Sequence, residues 1–301
     1  MKSKTKCPCS TEFDSEKAYK RLSQKYNDFA EIVMEYFSEA GTENRSRRVQ
    51  SAAVMAEILL RIVGGSRVPE GSYPECCLIG NRNQNGTLEW FCTGVLIHPR
   101  IVLTAAHCYD PSYSYVVALN TINQNSISSA EIISVKKAMP HPGYQQTRKF
   151  YDISVLILSQ GAQTPPVQIA TSQEINAAIS TTLVGFGNED VHSTIGFGIK
   201  REVSVNIESI RRTTADNLDS DETRFDYESD LEFVAGGKGF DSCNGDSGGP
   251  AYIIIDGVRK LAGLTSRATA GSQTPCGEGG IYTRVDAHTN FINALVPASI
   301  I

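Results

Sequence analysis

The sequence predicts an all-β protein preceded by an α-helical N-terminal segment and closed by a single C-terminal helix. Three observations carry this. From residue 62 onward, short apolar runs rich in β-branched residues alternate with clusters of Gly, Pro, Asn and Asp, the texture of strands joined by hairpins. Before residue 62 the apolar residues recur at steps of three and four, the period of an amphipathic helix. Nowhere do strands alternate with long helical patterns, which argues against a doubly wound α/β fold.

In residues 1–61, Leu22, Tyr26, Phe29, Val33 and Tyr36/Phe37 share one helical face. Gly41 and Asn44 interrupt the pattern, and Val49, Ala52, Ala56 and Leu59 resume it. Two amphipathic helices joined by a polar turn form a hairpin. Its apolar faces either pack on the rest of the chain or recruit a partner. Strands are expected at Val95–Ile97, Ile101–Leu103, Ile132–Val135, Ile153–Leu158, Thr181–Val184, Ala251–Ile255 and Leu261–Thr265. The closing helix spans Asp286–Val296, with Phe291, Ile292 and Leu295 inward. Residues 216–232 carry eight acids and one Arg and read as a solvated acidic loop in preference to a calcium site, because the spacing is not that of an EF-hand.

The 301 residues are 41% hydrophobic and 20% charged, as in a folded domain. The net charge of −5 supplies no basic excess to attract phosphate, so neither a nucleic-acid nor an anionic-membrane partner is expected. The helical segment holds 11 basic and 9 acidic residues; the remainder holds 17 and 24. No run of eighteen apolar residues occurs. Lys2, Lys4 and Lys6 resemble the start of an export signal, but Cys7-Pro8-Cys9-Ser10 and charged residues follow in place of an apolar core. The expectation is a cytoplasmic chain if this is the whole, and a secreted one if a signal has been removed; the sequons at Asn44 and Asn85 matter only in the second case. Eight cysteines, with the spacings Cys7-x-Cys9 and Cys76-Cys77, make neither a zinc finger nor a disulfide-rich scaffold. No metal and no cofactor are expected.

Three segments carry chemistry. Cys243-Asn244-Gly245-Asp246-Ser247-Gly248-Gly249-Pro250 sets a serine in a glycine-rich turn whose backbone N–H groups are free to converge on an oxyanion. Thr104-Ala105-Ala106-His107-Cys108 puts an imidazole at a strand end. Tyr151-Asp152-Ile153-Ser154-Val155-Leu156 heads a very apolar strand with a carboxylate, which is costly to bury unless a group such as an imidazole N–H pairs with it.

In their order these segments, together with Arg61-Ile62-Val63-Gly64-Gly65, resemble the trypsin/chymotrypsin family of serine proteases. His141-Pro142-Gly143-Tyr144 and Gly185-Phe186-Gly187 look like further landmarks, and the resemblance covers residues 62–301. It implies two antiparallel six-stranded β-barrels, about 62–163 and 164–301, with residues 1–61 as a pro-segment. It also implies a Ser-His-Asp triad of Ser247, His107 and Asp152, with an oxyanion hole from the N–H groups of Gly245 and Ser247. Asp241, six residues before Ser247, would floor a specificity pocket for Arg or Lys, with Gly280 and Ser266 on its walls. Cleavage after Arg61 would free an Ile62 ammonium that pairs with Asp246, so the chain would be a zymogen activated by itself or by a trypsin-like protease.

The family's disulfides imply Cys92–Cys108 and Cys243–Cys276. Cys76 and Cys77 match no common pair and are read as buried thiols, or as the end of a tether from Cys7 or Cys9. Where the family usually has an aromatic residue and a glycine after Ser266, this chain has Arg267 and Ala268, which leads us to expect acidic substrate side chains near Arg267. The leading expectation is an endopeptidase acting on protein or peptide substrates after Arg or Lys. The alternative is a protease-fold recruitment protein whose N-terminal helices assemble a complex, with proteolysis limited to one partner in a signalling or defence pathway.

Overall fold

The computed structural model describes residues 65–295, apart from 146, 148 and 191. The expected N-terminal helices, the expected activation bond at Arg61–Ile62, Cys7 and Cys9 lie outside the described residues.

Fourteen strands follow in chain order: β1 (Ser66–Arg67), β2 (Cys76–Arg82), β3 (Leu88–His98), β4 (Ile101–Thr104), β5 (Tyr115–Leu119), β6 (Glu131–Pro140), β7 (Ser154–Leu158), β8 (Gln168–Ile169), β9 (Ser180–Gly185), β10 (Arg201–Ser209), β11 (Glu232–Ala235), β12 (Pro250–Ile255), β13 (Val258–Ala268) and β14 (Gly280–Arg284). Strands β2-β3-β4-β7-β6-β5 close into an antiparallel barrel. The second ring runs β9-β10-β11-β14-β13-β12 and returns to β9, with β1 added to β10 and β8 to β13. The two antiparallel six-stranded barrels are thus present. Helices α1 (Ser172–Ala177), α2 (Asp219–Phe225) and α3 (Thr289–Leu295) are short. The closing helix begins as a 3₁₀ turn at Asp286–His288; Ile292 is buried, and Phe291 and Leu295 are half-buried.

The expected strands fall in β3, β4, β6, β7, β9, β12 and β13, while β2, β5, β11 and β14 join them from runs that the expectation left out. Every residue of β4 is buried, so Ile101-Val102-Leu103 needs no polar face. Strand β10 was not foreseen because it alternates: Val203 and Val205 point into the barrel while Ser204 and Asn206 face water. Residues 216–232 depart from a solvated loop. Residues 219–225 among them form α2, and Glu232 is fully buried at the start of β11. Arginines make this feasible: Arg211 pairs with Asp230 at 2.7 Å and reaches Glu222 at 3.7 Å, and Arg267 takes Glu232. Opposite charge offsets a repulsion that the local sequence, with one Arg among eight acids, leaves uncompensated.

Cys76 packs into the core shared by the two barrels, beside Val184, Phe186 and Tyr252. Cys77, the next residue on β2, faces the interior of the first barrel with Ile79 and Val117. Both are free thiols without exposure, and the other ends of the expected tether, Cys7 and Cys9, lie outside the described residues. Across the barrels, Glu75 is buried, pairs with Arg259 at 2.9 Å and accepts a 2.9 Å hydrogen bond from Tyr252.

Candidate active site

His107 sits in a 3₁₀ turn (Ala106–Cys108) directly after β4, so the strand end fixes its backbone. The Cys92–Cys108 disulfide ties this turn to β3. Asp152 precedes β7, the strand paired with β4, which brings the two residues together from 45 positions apart. His107 Nδ1 lies 2.8 Å from Asp152 Oδ2, and the His107 backbone N–H donates to Oδ1 at 2.9 Å. The Asp152 side chain is 3% exposed and the imidazole 32%. Burial pushes the Asp152 carboxyl up, but the bonds from His107 and Ser266 outweigh it and leave it below the usual carboxylate range. An ionised acceptor at Nδ1 assigns the proton to that nitrogen and leaves Nε2 free to accept another.

The second barrel supplies the remaining groups. Ser266 Oγ donates to Asp152 Oδ2 at 2.6 Å, so this residue braces the carboxylate. Thr283 Oγ1 donates to the Asp152 carbonyl at 3.2 Å. The 243–249 turn is seated against β3 of the first barrel: Thr93 N donates to the Ser247 carbonyl at 3.0 Å, and Thr93 Oγ1 to the Gly245 carbonyl at 2.8 Å. Gly248 has φ +77°, and a Cβ there would stand 2.1 Å from Thr104 Oγ1 and 2.5 Å from Ala105 N. Only glycine permits this approach, which sets Ser247 next to the segment bearing His107.

Asp241 is buried, held by Ser242 N–H on Oδ1 at 2.8 Å and by Gly279 and Gly277 N–H groups on Oδ2 at 3.0 and 3.2 Å. Burial pushes its pKa up to about 6 against the pull of those donors. The Cys243–Cys276 disulfide joins the two segments that surround it. A Cβ on Gly280 would meet Asp241 Oδ1 at 3.0 Å, so bulk there would crowd the carboxylate. Asp246 is also buried. Gly187 N–H donates to Oδ1 at 2.7 Å and Cys243 N–H to Oδ2 at 2.8 Å. Burial raises it to about 6 as well, and no cation of the described residues forms an ion pair with it.

Arg267 differs from expectation. Its guanidinium grips both oxygens of Glu232, donates to the Asp226 carbonyl at 2.9 Å and lies over the Phe150 ring. The positive charge is neutralised inside the molecule, which removes the basis for an acidic substrate preference. Sequence reasoning missed Glu232 as the partner, because 35 residues and a change of strand separate the two.

Residues 62–292 match the family model described as Trypsin. The chain is 32% identical to kallikrein 1-related peptidase b3 of Mus musculus, over 77% of this chain and 88% of that protein. It is 30% identical to trypsin of Saccharopolyspora erythraea, over 66% and 84% respectively. The solved structure of GrC overlays with a TM-score of 0.61 at 24% identity, covering 77% of this chain and 97% of that one, a likeness of fold.

Proposed function

The chain belongs to the trypsin family of serine proteases and is a serine endopeptidase, and we propose from this that it cuts after Arg or Lys and is switched on by cleavage between Arg61 and Ile62. In this reading Ser247 Oγ attacks the scissile carbonyl. His107 Nε2 takes the hydroxyl proton and returns it to the leaving amine. Asp152 holds the imidazole tautomer and stabilises the imidazolium. The N–H groups of Gly245 and Ser247 receive the oxyanion. The observation that carries the reading is the 2.8 Å His107–Asp152 contact, formed in the first barrel and set beside the serine turn of the second.

Specificity follows from Asp241. A carboxylate this buried gains most from a ligand cation, and Arg or Lys supplies one. Activation follows from Asp246, whose buried carboxyl likewise calls for a positive partner. Strand β1 pairs Ser66 with Glu202 and Arg67 with Arg201, and Arg201 in turn pairs with Gly185, the glycine against Asp246. A residue-62 ammonium therefore begins four residues from a point two strands away from Asp246. Strand spacing puts that gap at about 10 Å, within the reach of four extended residues at roughly 13 Å. Substrates are proteins or peptides with Arg or Lys at the cut. The activator is this protease itself or another of trypsin type.

N-terminal sequencing combined with hydrolysis of Arg peptide amides, before and after brief trypsin treatment, tests the proposal. Activity that rises at least tenfold as a new Ile62 terminus appears is expected. Equal activity in the uncut chain overturns the activation reading, and faster hydrolysis after Leu or Phe than after Arg overturns the specificity.

A further inference from the structure

Arg201, at the head of β10, is fully buried. Its register partner on β9 is Gly185. Side chains of paired residues stand on one face of a sheet. Gly185 has none, and its vacant Cβ position lies 2.1 Å from Asp246 Oδ1. Arg201 and the Asp246 carboxylate are therefore neighbours on that face, and the guanidinium charge favours the ionised form of the acid.

The guanidinium itself turns to the 188–199 connection between β9 and β10. Its Nη1 donates to the carbonyls of Gly196 at 2.7 Å and Ile199 at 2.9 Å, and Nη2 pairs with Glu189. Phe197 lies between the two gripped carbonyls. Its ring fills the place a side chain on Gly245 would take, with Cδ2 at 2.5 Å from that Cβ position. Gly245 has φ +97°, so the turn depends on what backs it. Two further bonds hold the arrangement: Asn188 N–H donates to the Asn244 carbonyl at 2.9 Å, and Gln124 Nε2 to the Phe197 carbonyl at 3.2 Å. A buried cation is expensive to hold, and this one is arranged around the backing of a single glycine.

We propose that Arg201 is a positioning residue for catalysis: it clamps the 188–199 connection so that Phe197 braces Gly245 and keeps the oxyanion turn in its donating shape. The inference rests on the reading of Gly245 as an oxyanion donor. Arg201 and Phe197 touch no reacting atom. Their effect falls on the charged tetrahedral state and leaves the Asp241 pocket unaffected, so it appears in kcat and not in KM.

The test uses the cleaved protein and three readouts. The first is steady-state hydrolysis of an Arg peptide amide. The second is inhibition by benzamidine, a cation sized for the Asp241 pocket alone. The third is inhibition by a peptide argininal, whose aldehyde carbon accepts the Ser247 hydroxyl to give a hemiacetal with its oxygen in the oxyanion site. Phe197→Ala and Arg201→Gln are expected to lower kcat about 10- to 100-fold, less than the roughly 100- to 1000-fold of losing an oxyanion donor outright, because the donor is displaced and not removed. Argininal affinity should fall in parallel, while KM and the benzamidine Ki move less than about twofold. Phe197→Leu, which keeps the brace, should stay within about threefold of the parent. A folded Arg201→Gln with parental kcat and argininal affinity overturns the inference; should that variant fail to fold, Arg201→Lys, which keeps the charge and loses the paired grip on the two carbonyls, takes its place with the same expected loss and the same overturning outcome. Parental kcat and argininal affinity in Phe197→Ala overturn the inference, as does a benzamidine Ki that rises as far as the argininal Ki. A different outcome marks failure of the underlying reading: a parent that does not hydrolyse the peptide, or that does so no faster than Ser247→Ala.

Discussion

In the proposed reading Asp241, a buried carboxylate, serves as the floor of the pocket and makes ligand binding pH-dependent. Its three backbone N–H donors favour the anion, yet burial outweighs them and lifts the pKa to about 6. A cationic ligand needs the ionised form, so benzamidine affinity should be flat above pH 7 and weaken about tenfold per unit once pH falls well below 6. Fluorescence titration of Ser247→Ala from pH 5 to 8 checks this without hydrolysis. A flat profile across that range would show the carboxylate still charged at pH 5. Stability carries the opposite sign in the empty pocket: an acid whose folded pKa exceeds its unfolded 3.8 contributes stability present below that value and lost as pH rises through about 6. A bound Arg or Lys side chain reverses that loss. Asp152 falls on the other side, because His107 and Ser266 keep it ionised well below neutral pH. Triad variants such as Asp152→Asn should lower kcat by about 10⁴-fold, with KM little changed.

At the scale of elements, the 216–232 segment shows where local sequence falls short. Its charge run was legible and its fold was not, because the arginines that order it come from β13 and from the stretch after β10. Removing Arg267 leaves Glu232 buried and unpaired at the head of β11, so Arg267→Ala should cost about 3–5 kcal/mol in urea unfolding. The Arg267→Met/Glu232→Leu double variant should recover most of it, since the penalty belongs to the orphaned charge. Burial alone does not decide which strands are legible: β4 and β7 read as apolar runs, whereas the equally buried β5 and β14, short and set among turn residues, escape the pattern, as does the alternating β10. The chemical motifs were the most legible parts of all. Gly248 and Gly245 occupy positive-φ turns pressed against Thr104 and Phe197, so their identities are set by contact and stand out in sequence. Ser266 was legible as a site residue only through the resemblance, which set it at the pocket and not on Asp152, and Glu232 gave no signal, because a bond to Asp152 or Arg267 requires only a small or acidic residue at the right place in three dimensions.

In the molecule as a whole, the site is divided. His107 and Asp152 belong to the first barrel, while Ser247, Ser266 and Asp241 belong to the second. Catalytic geometry therefore depends on how the barrels register. Glu75 is one of the polar groups that cross between them, reaching Arg259 on β13 and Tyr252 on β12. Glu75→Ala should cost about 3 kcal/mol, because it strands the Tyr252 hydroxyl and half-buried Arg259. It should also lower kcat while the benzamidine Ki, a property of the second barrel alone, stays put. Calorimetry and the two kinetic constants check it; a parental Tm would mean that water replaces the carboxylate at no cost.

The adjacent thiols of β2 extend the same division into time. One looks toward the seam and its neighbour toward the inside of a single barrel. Burial lifts Cys76 to about 12, and neither sulfur meets solvent, so an alkylating reagent reaches them only through motion of the protein. Mass spectrometry of slowly labelled protein would read two clocks from one dipeptide: modification at Cys76 counts partings of the halves, and modification at Cys77 counts openings of one half on its own.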